Sequence, residues 1–166
     1  GYDSAGLAVL NPDYTLKIVK DMGRVKNLQN NPEIETLDGN IGIAHTRWAT
    51  RGVPSQNNSH PHTDNSKTFA VVHNGIIENY DEIKHFLENN QYTLYSETDT
   101  EVIPNLIHYF YSKDENSGIL SAVSKALKKL EGSYAIEVTS PLLKDDIIVA
   151  KKDSPIVIGV GDGESY

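Results

Sequence analysis

Two short stretches near the start of the chain predict a β-hairpin. Ser4 to Leu10 is small and apolar, and in Thr15 to Lys20 the apolar Leu16 and Ile18 alternate with Lys17 and Lys20. Asn11-Pro12-Asp13 between them is a turn cluster. Val25 to Asn30 reads as a short helix stopped by Asn31-Pro32, because the residue before a proline is biased away from helix. Asp38-Gly39-Asn40 is a turn, and Ile41 to His45 is a short apolar strand running into Thr46-Arg47-Trp48. Arg51 to Lys67 is poor in apolar residues and rich in Pro, Ser, Asn and His; its length marks it as a functional loop. Thr68 to His73 is a strand ending on His73-Asn74-Gly75.

The period then changes to that of helices. Ile76, Tyr80, Ile83 and Leu87 form one apolar stripe; Val102, Ile103, Leu106, Ile107 and Phe110 a second; Ile119, Val123, Ala126, Leu127 and Leu130 a third. Ser96-Glu97-Thr98-Asp99 is a start signal for the second helix, and Pro104 is compatible with its first turn only. Gly118 divides the second helix from the third and implies an antiparallel pair. Strand alternation returns with Tyr134, Ile136 and Val138, followed by apolar strands at Ile147 to Ala150 and Pro155 to Val160. Strands, then helices, then strands predicts one α+β domain over 1–166 with a mainly antiparallel sheet.

Composition narrows the functional classes. With 38% hydrophobic and 23% charged residues the chain buries a core and is not disordered. A formal net charge of −8 argues against nucleic-acid binding, which needs excess Lys and Arg on one face. No apolar run is long enough to span a membrane, and a cytoplasmic setting is the expectation. There is no cysteine, hence no disulfide, thiolate metal site or cysteine nucleophile within these residues. The chain has no starting Met and opens on Gly1-Tyr2-Asp3-Ser4, which reads as the interior of a longer protein.

Polar clusters sit where strands end or a helix begins. The planar fork of Arg47, with the hydroxyls of Thr46 and Thr50, suits a carboxylate; paired with a nearby acid, the same arginine is purely structural. Asn74-Gly75 offers two donors to an oxyanion, or else a tight turn. Asp99 suits an ammonium group, or else is a first-turn acid of the helix. His60 and His62, with His45 and His73, are packing histidines rather than metal ligands, since no familiar ligand spacing accompanies them. Donors for a carboxylate, an acceptor for an ammonium and donors for an oxyanion together fit acyl transfer from an amino-acid side chain. Ser4, Ser55, Ser59 and Ser96 lack an activating context, so the nucleophile is missing.

Five motifs in order carry a family resemblance: Gly-Tyr-Asp-Ser-Ala-Gly (1–6), His-Thr-Arg-Trp-Ala-Thr (45–50), His-Pro-His (60–62), Val-His-Asn-Gly-Ile-Ile-Glu-Asn (72–79) and Ser-Glu-Thr-Asp-Thr-Glu (96–101). The whole chain resembles the glutaminase domain of the glucosamine-6-phosphate synthases, a family of class II glutamine amidotransferases. The resemblance implies an N-terminal-nucleophile hydrolase fold, a four-layer α-β-β-α sandwich with two antiparallel sheets. It implies attack by an N-terminal cysteine on the glutamine side-chain amide, and ammonia delivered to a C-terminal sugar-isomerase domain that binds fructose 6-phosphate, in a full-length homodimer. No cofactor is implied. Arg47 and Thr50 would take the glutamine carboxylate, Asp99 the ammonium, and Asn74 with Gly75 the oxyanion. Trp48 and His60 would line the site. Arg51 departs from the family pattern, which often has His there. The cysteine segment would lie upstream, and Gly1 has no side chain to replace it. The remaining readings are a non-catalytic module binding glutamine or glutamate, and the glutaminase domain of another class II amidotransferase.

Overall fold

The computed structural model describes residues 2–166; Gly1, at the head of the first motif, lies outside the described residues. The hairpin forms as its pattern predicts, with β1 (Ser4–Leu10) paired antiparallel to β2 (Leu16–Met22). The short helix α1 (Val25–Gln29) follows, then a 3₁₀ turn at Pro32–Thr36. β3 (Ile41–Arg47) returns antiparallel to the other side of β1, giving a three-stranded sheet in the order β2-β1-β3. The period of two divides this sheet. Ala8 and Ile43 pack with Leu16 and Ile18 on one face, while Ala5, Val19 and Leu7 on the other meet Leu28 of α1 and Ile34.

A second sheet, in the order β4-β5-β6-β7, comprises β4 (His62–Thr63), β5 (Ala70–Ile77), β6 (Gly132–Thr139) and β7 (Ile148–Lys152), all paired antiparallel. Ala70 and Val72 of β5 join the cluster of Ala8 and Ile43, so the two sheets face each other across small side chains. The opposite face of this sheet, with Val71, Ile77, Tyr134, Ile136 and Val138, is buried under α2 (Tyr80–Asn89), α3 (Val102–Lys113) and α4 (Gly118–Leu127). Their stripes supply Ile83, Leu87, Ile103, Leu106, Ile107 and Val123, all buried. The layers thus run helices, sheet, sheet, then α1 with the 3₁₀ turn, the last layer thin over the described residues. Pro104 is the third residue of α3, within the first turn, where its missing N–H leaves no helical bond unmade.

Three expectations are corrected. β5 runs through Asn74-Gly75 to Ile77, in register with β6 down to Gly132, so Asn74-Gly75 is not a turn. Ile76 is therefore a strand residue and the first long helix starts at Tyr80. Pro155 to Val160 forms no strand: it finds no neighbouring strand, leaves Val157, Ile158 and Val160 exposed, and folds back so that Gly159 and Tyr166 exchange backbone hydrogen bonds of 2.7 and 2.8 Å.

Candidate active site

The end of β3, the loop after it, the end of β5 and the turn before α3 enclose a cavity of about 230 Å³. Arg47, Trp48, Thr50, His60, Asn74, Gly75 and Asp99 all line it, together with His45, Thr46, Arg51, His73, Thr98 and Thr100. Residues separated by half the chain meet here because β3 and β5 lie in facing sheets and the 98–100 turn abuts the end of β5.

Arg47 is buried, and most of its donors are already engaged. Nη1 reaches Asp3 at 3.4 Å, and Nη2 donates to the carbonyls of Arg51 at 2.5 Å and Gly52 at 3.0 Å. Asp3 also accepts from the Ala49 N–H at 2.5 Å, so this carboxylate fixes both the guanidinium and the loop beside it. The structural pairing and the cavity position therefore coexist. Nε–H and one Nη1 hydrogen have no partner among the described residues, and neither has the Thr50 hydroxyl, which lines the same cavity. Trp48 stands at the rim, 68% exposed. Arg51 turns outward, with its guanidinium 3.9 Å from the Tyr80 ring centroid and 3.0 Å from Asp81.

Asp99 lies ahead of the first residue of α3 and does not cap that helix. Its Oδ2 accepts the Ile77 N–H at 2.8 Å, which ties the turn to the end of β5 and leaves Oδ1 for a cation. Glu101 organises the same turn: its carboxylate accepts the N–H groups of Tyr95 at 2.9 Å and Ser96 at 2.6 Å.

The histidines form a buried network. His45 and His60 stack with centroids 4.2 Å apart, and His60 meets His62 edge-on at 5.1 Å. The His73 N–H points to Nδ1 of His60 at 3.4 Å, so Nδ1 is the acceptor and Nε2 carries the proton. That Nε2 donates to the Thr100 hydroxyl at 3.2 Å, and the same hydroxyl lies 2.9 Å from Nδ1 of His73. His62 Nε2 and the Thr98 hydroxyl are 2.9 Å apart. Among the described residues no three His, Asp or Glu side chains converge as a metal site. Sequence reasoning named Asp3 only within a motif and gave His45, His73 and Thr100 no role in the cavity. Their partners are long-range, and no local pattern marks them.

Burial pushes His45, His60, His62 and His73 below the ordinary histidine value, His60 and His62 the furthest; the other histidines and Arg47 add repulsion for several of them. The unfolded chain therefore binds more protons than the fold once pH falls below about 6.5, and stability present above that pH is lost progressively below it. Each imidazole that stays neutral in the fold contributes a slope of about 1.4 kcal/mol per pH unit. Glu137, raised by burial, acts in the opposite direction, but only one such group opposes four. Urea midpoints measured from pH 8 to pH 5 are expected to hold to about 6.5 and then fall steeply. A flat profile to pH 5 contradicts the neutral cluster.

Comparison with known proteins agrees with this geometry. A family model described as a glutamine amidotransferase domain matches residues 45–157. The glutamine–fructose-6-phosphate aminotransferases (isomerizing) of Clostridium acetobutylicum and Clostridium perfringens are 48% and 49% identical over the whole chain. The chain spans about a quarter, 26%, of the length of those curated relatives. Among solved structures, the glutamine phosphoribosylpyrophosphate amidotransferase of B. subtilis superposes with a TM-score of 0.72 at 27% identity, covering 91% of this chain and 31% of that one. A glutamine aminotransferase class-II domain protein from silicibacter pomeroyi, 16% identical with a TM-score of 0.57 over 93% of this chain and 71% of its own, shares the fold. The match over 45–157 takes in the end of β3, the loop, the end of β5 and the acidic turn, the elements that build the cavity, and the chain belongs to the glutamine amidotransferase domain family.

Proposed function

We propose that residues 1–166 form the glutamine site of a glutaminase domain, which releases ammonia from the side-chain amide for transfer to fructose 6-phosphate by a sugar-isomerase domain of the same longer protein. The observation that carries this reading is the single cavity where a guanidinium, a carboxylate and a primary amide converge. Its volume of about 230 Å³ suits a ligand as small as one amino acid. Arg47 meets the α-carboxylate through its unengaged hydrogens, aided by Thr50. Asp99 holds the α-ammonium through Oδ1. With both ends fixed, the side-chain amide of glutamine extends towards Asn74 and Gly75, whose donors stabilise the oxyanion of the tetrahedral intermediate. Trp48 and His60 bound the pocket. The nucleophile is a cysteine from a segment outside these residues, and the longer protein acts as a homodimer.

The two kinds of contact separate in kinetics. In the full-length enzyme Asn74→Ala is expected to lower kcat by about 10²–10³ with KM little changed, because its contact strengthens only as charge develops. Thr50→Val and Arg47→Ala are expected to raise KM at nearly constant kcat, the arginine by more than about tenfold, since the carboxylate is bound alike in ground and transition states. The reverse pattern overturns both assignments. The affinity for the isomerising relatives, as against other glutaminases, favours glucosamine 6-phosphate as product; assay of that sugar phosphate tests it.

A further inference from the structure

The Asn74 amide has two chemically opposite ends on one rotor, and only the Nδ2 end helps an oxyanion. Asn74 is exposed to the cavity, and its one side-chain partner among the described residues is His45, with Nε2 2.9 Å from Oδ1. We propose that His45 is a positioning residue that selects which end of the Asn74 amide faces the substrate; the inference rests on the oxyanion reading above.

Donor counting makes the selection. A carbonyl oxygen has no hydrogen, so the proton in the contact belongs to the imidazole, on Nε2. Burial keeps the ring neutral, so it carries one N–H and leaves Nδ1 as a bare lone pair. Nδ1 is buried without a partner, a position that an acceptor tolerates better than a donor. Turning the amide over would put Nδ2 against the ring. Nε2 would then have to accept, and the proton would move to Nδ1, which is buried and has no well-formed partner, only the His73 backbone nearby. It would also aim the carbonyl of Asn74 at the developing oxyanion.

The imidazole is itself held. His45 is in β3, in register with Gly6, and its ring lies 18° from parallel against His60. His60 is oriented by the His73 N–H and Thr100. Ile43, two residues before His45, and Val72, two before Asn74, belong to the cluster between the sheets, so the contact spans the two sheets at the open end of that core.

Two substitutions divide donation from packing. In the full-length enzyme, His45→Phe keeps a flat ring against His60 and removes the N–H. His45→Gln removes the ring and keeps an amide N–H near the place of Nε2. The expected order of kcat is wild type, then His45→Gln, then His45→Phe, the last down about 10–100-fold with KM within about twofold. Adding His45→Phe to Asn74→Ala should cause little further loss, since the two act as one unit. His45→Phe equal to or faster than His45→Gln assigns the histidine to packing and overturns the inference. So does a full multiplicative loss in the double variant. Wild-type kcat in Asn74→Ala sinks the oxyanion reading itself, and is distinguishable from either result.

Discussion

Residues 1–166 purified alone turn over no glutamine above the uncatalysed background. There is no cysteine in the sequence. Ser4 is fully buried and donates to Asp3 at 3.0 Å, and Ser59 is fully buried and donates to the Ser55 carbonyl at 2.8 Å. Four threonines line the cavity. Thr98 is committed to His62 and Ser96. Thr46 and Thr50 have no base beside them among the described residues, and an unactivated hydroxyl is a poor nucleophile at neutral pH. Thr100 is the serious competitor, because its hydroxyl lies 2.9 Å from an imidazole nitrogen, as the nucleophile of a triad does. However, it is 1% exposed, its oxygen also accepts from His60, and burial makes His73 a weaker base. Glutamate release from 1–166 by a coupled assay should match buffer, while calorimetry detects glutamine binding if the cavity is formed. Turnover abolished by Thr100→Val would show a threonine nucleophile and overturn the cysteine assignment.

What the sequence discloses and what it withholds follow the range of the forces involved. The hairpin, the three helical stripes and the Tyr134–Val138 strand are legible because period and turn chemistry are local. Asn74-Gly75 misleads because the dipeptide is a common hairpin turn, and only its pairing with Ala135 and Tyr134 keeps it extended. Pro155 to Val160 misleads because strand propensity makes no strand without an edge to join. That Arg47, Asn74 and Asp99 would share one cavity was legible by chemical type, since the amino-acid site proposed there demands those types. Their supports were not. Asp3 and Arg47 are brought together by the antiparallel register of β1 and β3, and His45 and Asn74 by the facing of two sheets. Such relations belong to topology, which short motifs do not encode.

Gly75→Ala shows how tightly the site is built into that topology, and the expected cost is large. An oxyanion donor at this position benefits from having no Cβ between its N–H and the substrate; the backbone gives the glycine a prior reason. At φ +139° Gly75 occupies a conformation that residues with a Cβ rarely adopt. A Cβ there would lie 2.1 Å from the Ser133 carbonyl oxygen and 2.9 Å from the Tyr134 Cα, both on the neighbouring strand. Neither is the movable end of a side chain, so β5 must part from β6. Strain of about 1–3 kcal/mol adds to an overlap penalty of about 1–3 kcal/mol, for a total of about 2–6 kcal/mol. Gly118 provides the control: its φ is +76°, but nothing lies within 4 Å of an added Cβ, so Gly118→Ala should cost the strain alone, about 1–3 kcal/mol. Chemical denaturation of the two variants side by side measures the difference. Equal costs would mean that β5 can yield at Gly75, and the glycine would then be kept for its approach to substrate. A much larger loss at Gly75 means that the proposed oxyanion donors occupy a point where sheet closure already forbids a side chain, and that substitutions there would remove fold and chemistry together.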